Sequence, residues 1–292
     1  MTKVFSCIRF YAIRSCERMF PPPTLYRLLV PVAALRAVFK KRREALPLPA
    51  VIGTGSVVPG TNKSWQNYYM NRTLGFFPKR LAAAEWLDRC SFSGLDRLRE
   101  VQQSGRPAVI VVCHFGPVYL LRLWLQAAGI RAATLVTGPT GKRAHLDRLK
   151  DRETLFPDFP RVFYPHQLRA VKKFLAAGNV LIIAVDKNSG NQVAVPVDDH
   201  FNFHMATGAL RLAAHSAAVL FPCNIFDAGC WRFQVQLGCP VPEAFLSESR
   251  DFVPAGKHLL AGLLPGFRAH PEQCSPMVFD SFRPANANLA GL

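Results

Sequence analysis

Val109 to Val112 is an unbroken β-branched run, set in the stretch Ala108-Val-Ile-Val-Val-Cys-His-Phe-Gly-Pro117. A strand with no polar residue to turn outward is buried on both faces, which is the signature of a parallel sheet covered by helices. The run stops at His114, two residues before Gly116-Pro117. The imidazole is therefore expected at the carboxyl end of a strand, in the strand-to-helix turn where open α/β sheets bind their ligands. Pro117 suits the first turn of a helix continuing to Gly129.

The pattern recurs at Asn179 to Asp186, a second apolar strand that ends in an acid. Strand-end acids gather at the same rim as strand-end histidines, so Asp186 is expected in one pocket with His114, on an adjacent or near-adjacent strand. Around these two runs, strand and helix alternate. Helices are expected over Asn67 to Phe92 and from Gly94 to near Gly105, strands at Ala132 to Val136 and Arg161 to Tyr164. A charged helix covers Lys142 to Leu155, and Gln167 to Ala177 is a helix stopped by Gly178. Ala206 to Ala213 reads as a small-residue helix, with His215 packed inside that helix. Val219 to Phe226 and Trp231 to Leu237 read as closing strands, and Val253 to Phe267 as a final helix. The sequence beyond Pro271 carries no clear signal. This alternation predicts an α/β fold with a largely parallel sheet flanked by helices.

Net charge is +17, and the first 50 residues hold ten Lys or Arg against two acids. Two apolar segments, residues 4–13 and 25–39, lie in that basic region, separated by Pro21-Pro22-Pro23 and followed by Lys40-Lys41-Arg42-Arg43. Both fall short of the roughly 20 apolar residues a spanning helix needs. They fit helices lying on or shallowly in an anionic membrane surface. No interleaving of aromatic and basic residues on one strand points to nucleic acid, so none is expected as a partner. Residues 1–44 thus read as a membrane-associating extension, 45–62 as a Pro- and Gly-rich linker, and 63–292 as the α/β domain.

Eight cysteines lie scattered, without C-x-x-C pairs or zinc-ligand spacing, and are read as reduced thiols. Cys113 precedes His114, but neighbours in a strand point to opposite faces, so it is assigned to the core. His200 and His204, four apart after Asp198-Asp199, resemble a metal pair only superficially, and no metal is expected. Gly138-Pro-Thr-Gly-Lys-Arg143 misses the phosphate-loop spacing and reads as a turn.

His114-Phe115-Gly116-Pro117-Val118-Tyr119 matches the first three residues of His-Phe-Gly-Asn-Trp-Glu, a common form of the H-x-x-x-x-[D/E] motif. Together with Arg72-Thr-Leu-Gly-Phe-Phe-Pro78 and the ordered segments through Pro242, this stretch resembles the lysophospholipid acyltransferase superfamily, in its branch of bacterial lipid A late (lauroyl/myristoyl) acyltransferases. The resemblance implies a glycerolipid acyltransferase-like fold with an amino-terminal anchor, and a Phe-rich loop at Val195 to Phe203 before the small-residue helix. It implies acyl transfer from acyl carrier protein or acyl-CoA to a hydroxyl or amine of a lipid or glycolipid, at the cytoplasmic face of the inner membrane. His114 would be the general base, with the motif's acid position held here by Tyr119. Amides around Phe115 and Gly116 at the helix start would stabilise the oxyanion. Asp186 corresponds to a family aspartate, and Arg148 lies where the family places a functional arginine; both are expected to line the substrate site. No cofactor beyond the thioester donor is implied. A phenol is neutral at pH 7 and cannot stabilise an imidazolium as a carboxylate does. Tyr119 therefore leaves a second reading, a catalytically weak or inactive member of the fold that binds lipid or acyl carrier protein. If Tyr119 only packs, Asp186 is the first choice to orient His114.

Overall fold

The computed structural model describes residues 15–16, 19–38, 62–74, 87–136, 162–186, 190–247 and 251–285. Along the chain come α1 (Pro22–Val38), α2 (Asn62–Leu74), β1 (Cys90–Ser93), α3 (Leu95–Gln103) and β2 (Ala108–Val112). Next are α4 (Leu121–Ala127), β3 (Ala132–Leu135), β4 (Val162–Phe163), α5 (Leu168–Ala176) and β5 (Val180–Ala184). The chain continues through β6 (Gln192–Pro196), β7 (Phe201–Ala206), α6 (Gly208–Ser216), β8 (Val219–Gly229) and β9 (Arg232–Leu237). It closes with α7 (Ala244–Ser247), α8 (Val253–Ala269), α9 (Pro276–Asp280) and β10 (Phe282–Pro284). Arg148, the Lys142 to Leu155 helix, the Gly138 to Arg143 turn, the first apolar segment, the Lys40 to Arg43 run and most of the 45–62 linker lie outside the described residues.

Seven strands form the central sheet in the order β1-β9-β8-β2-β5-β3-β4, with β2 at its middle. Every neighbouring pair is parallel except the β8–β9 hairpin. All five residues of β2 are buried. Val109, Val111 and Cys113 face one core, with Leu259, Leu263 and Phe267 of α8 and Leu210 of α6. Ala108, Ile110 and Val112 face the other, with Trp124 of α4, and Leu25 and Ala33 of α1 join that same cluster. Each fully buried aliphatic side chain contributes about 1.5–3 kcal/mol, so an apolar β2 is held from both sides.

Several expectations are corrected. Cys90 to Phe92 is not the end of a helix but an edge strand, paired in parallel with β9. Its partner lies far along the chain, so no local pattern announces it. Val195 to Phe203 is not a loop: β6 and β7 form an antiparallel hairpin that continues to β10 as a separate three-stranded sheet. Asp198 shapes the hairpin turn by accepting the backbone N–H groups of His200 and Phe201, each at 2.8 Å. His215 is not packed but exposed, in the last turn of α6. The helix expected to start at Pro117 begins as a 3₁₀ turn, Val118–Leu120, before α4.

Candidate active site

The β2–β5 register decides the geometry. Val112 lies opposite Ala184 in this parallel pair, so the residues two beyond each, His114 and Asp186, emerge side by side. The His114 backbone N–H donates to Asp186 Oδ2 at 2.8 Å, and His114 Nδ1 lies 2.8 Å from Asp186 Oδ1. One carboxylate thus holds both the main chain and the ring of the same histidine. The proton between Nδ1 and the carboxylate belongs on Nδ1, which leaves Nε2, the nitrogen turned away, with the free lone pair. Asp186's side chain is fully buried while the His114 side chain keeps 17% of its surface exposed, so the ring is reachable and its partner is not. Asp186 is thus bonded to both the ring and the main chain of His114 and has no exposed side-chain surface of its own.

The remaining turn residues are used structurally. Phe115's side chain is buried against Phe226 and Phe267, with ring centroids 5.4 and 5.3 Å away. Its N–H donates to Cys113 O at 2.7 Å, and the Gly116 N–H donates to Gln273 O at 3.1 Å. Both amides are thus bonded to main-chain carbonyls, and Pro117 has none. Gly116 has φ +55°, and a Cβ there would lie 1.9 Å from Ile225 O. Its role is steric: no side chain fits between the turn and β8.

Tyr119 sits in the 3₁₀ turn with 40% of its surface exposed. Its ring centroid lies 6.1 Å from that of His114, at a 60° tilt. The carboxylate that engages Nδ1 comes from Asp186, 72 positions along the chain, and not from the position five residues after the histidine. Cys113 is fully buried, and burial first, then Asp186 and Cys274, hold its thiol well above the ordinary range; it is neutral and no nucleophile. His204 is also buried, its pKa lowered by burial and by Arg283. Among the described residues no His, Cys, Asp or Glu cluster is arranged to hold a metal ion.

Sequence reasoning missed what closes the site from behind. Residues 273–275 run alongside the His114 turn: Ser275 N–H donates to His114 O at 3.0 Å, and Phe115 pairs with Cys274 in an antiparallel bridge. Only Ser275-Pro276 offered a signal there, as the start of the short helix α9.

The sequence pattern of the bacterial lipid A biosynthesis acyltransferases matches residues 17–244, most of the chain, a span in which positions 114, 119 and 186 fall. The chain belongs to that family. No curated protein matches it. In this lipid A acyltransferase family member, the mostly parallel sheet and the flanking helices fit an acyltransferase fold. The match ends before Gln273, so the segment behind the histidine lies beyond the shared pattern.

Proposed function

We propose that the protein transfers a fatty acyl group from an acyl carrier protein or coenzyme A thioester to a hydroxyl or amine of a lipid or glycolipid acceptor, at the cytoplasmic face of the inner membrane. The observation that carries this reading is the Asp186 carboxylate on His114 Nδ1. Nε2 takes the acceptor's proton as its oxygen or nitrogen attacks the thioester carbon. Asp186 stabilises the imidazolium that forms. The C–S bond then breaks, and the imidazolium returns its proton to the departing thiolate. The inactive-binder reading rested on a missing acid, and a carboxylate at the same imidazole favours the enzyme. His114→Ala is expected to lower acyl transfer by about 100- to 10,000-fold. Tyr119→Phe is expected to retain most of the rate. Mass spectrometry of cellular lipids, with and without each variant, checks both; a wild-type lipid profile in the His114→Ala strain would refute the assignment.

Membrane association has its own support. Leu28, Val32, Leu35 and Val38 of α1 are exposed, with the first three at one-turn spacings, while Leu25, Ala33 and Ala37 are buried. Among the described residues no helix is long and apolar enough to cross a membrane. A helix docked on the protein by one side and presenting aliphatic side chains on the other suits an interfacial position, with basic residues nearby for anionic lipid. Deleting α1 would uncover the core it covers, so substitutions on the exposed side are the cleaner probe. The triple variant Leu28→Gln, Val32→Gln, Leu35→Gln is expected to lose at least about tenfold in vesicle affinity, since full burial of even one aliphatic side chain contributes about 1.5 kcal/mol or more. Cosedimentation with phosphatidylethanolamine/phosphatidylglycerol vesicles measures this; unchanged pelleting would remove α1 as the contact.

A further inference from the structure

The carboxy-terminal segment from Gln273 to Ser281 holds both halves of the His114–Asp186 pair. Gln273 O accepts the Gly116 N–H at 3.1 Å, and Ser275 N–H donates to His114 O at 3.0 Å. The Gln273 side chain meanwhile ties this segment to β8: Oε1 accepts the Asp227 N–H at 2.9 Å and Nε2 donates to Asp227 O at 3.0 Å. At the far end, Ser281 is fully buried and its hydroxyl lies 3.1 Å from both Asp186 O and Met277 O. Ser281 O accepts the His204 N–H at 2.7 Å, which anchors the segment to β7, and the Ala206 N–H of β7 donates to Val185 O at 2.9 Å.

Beyond the strands, His114 and Asp186 lie on separate loops joined through the Asp186 carboxylate and, one residue back, by the Val185 N–H donating to Val112 O at 3.0 Å, which still leaves the loops freedom to flex. A chain segment bonded to the main chain at His114, Gly116 and Asp186 removes that freedom. These bonds go to backbone groups next to the reacting side chains, so they fix position without touching substrate. A hydrogen-bonded histidine displaced by about 1 Å loses its alignment with both partner and acceptor, at a cost that reaches about 100-fold in rate.

We propose that Gln273 and Ser281 are positioning residues, holding His114 and Asp186 in register through a segment outside the pattern this chain shares with its family. The kinetic consequence rests on the acyl-transfer reading; the geometric one does not. In the full-length protein, the Nδ1–H proton of ¹⁵N-labelled His114 is assigned by its loss in His114→Ala and followed by NMR in Ser281→Ala and in Gln273→Met, which keeps length but removes the amide. Both variants are expected to shift or broaden that proton signal while circular dichroism keeps the wild-type signature. Both are expected to lower kcat about ten- to a hundredfold with KM within about twofold. If Gln273→Met unfolds, Ser281→Ala decides alone. A wild-type Nδ1–H signal in the folded variants overturns the proposal. The signal lost in the variants, with no acyl transfer by any form of the protein, supports the positioning role and refutes the acyl-transfer reading instead.

Discussion

Asp186→Asn is expected to lower acyl transfer by about 10,000-fold while leaving the fold intact, the size of effect seen when the orienting aspartate of a Ser-His-Asp triad becomes asparagine. The reason lies in the hydrogen-bond roles. Asparagine is nearly the same shape, and its Oδ1 can still accept the His114 N–H that Asp186 now accepts at 2.8 Å. Its NH₂ group would then face Nδ1, which must become an acceptor, so the ring proton moves to Nε2. A histidine with Nε2 protonated cannot take a proton from the acceptor, and no carboxylate remains to stabilise an imidazolium. Rates measured over a pH series, with the His114 tautomer read by ¹⁵N NMR, check both parts. Near-wild-type activity in Asp186→Asn would mean that another group orients the histidine, and Tyr119→Glu would then be the variant to compare.

Gly116→Ala is expected to be the most destabilising single substitution in the site, by about 3 to 5 kcal/mol. Two costs add. At φ +55° an L-residue is strained, and its Cβ would meet Ile225 O at 1.9 Å, which forces either the turn or β8 to move. For a domain of this size the melting temperature should fall by roughly 10 °C. Gly129 supplies the control: it too has positive φ, at +82°, but open space around its Cβ position. Gly129→Ala should lose only about 1–2 kcal/mol, the conformational part alone. Equal effects from the two substitutions, in thermal melts run side by side, would contradict the close approach of the turn to Ile225.

Several features were legible in the residues. The β-branched runs before His114 and Asp186 announced buried parallel strands, because a strand with two covered faces has no polar positions to hide. The matching ends of those runs also placed the histidine and the acid on one rim. The sequence did not show which side chain would serve the histidine. A local motif puts the histidine's acid five residues on, and the residue there is Tyr119, so the site looked short of a charge. Phe115 and Gly116 were expected to offer amides to the oxyanion; the fold bonds both amides to main-chain carbonyls, buries the Phe115 ring in the core and leaves no room for a side chain at Gly116.

Sequence alone determined the two buried strands that carry the site and the strand-end position of His114, because those depend on local hydrophobic pattern and on turn residues a few positions apart. Tertiary structure decided which carboxylate serves the histidine, since the β2–β5 register is set by packing across 72 residues and not by any short spacing. It also decided that the amides of Phe115 and Gly116 are occupied and that residues 273–281 brace the pair. Those bonds run largely through main-chain N–H and C=O groups, which every residue but proline carries alike, so no side-chain pattern can announce them before the chain has folded.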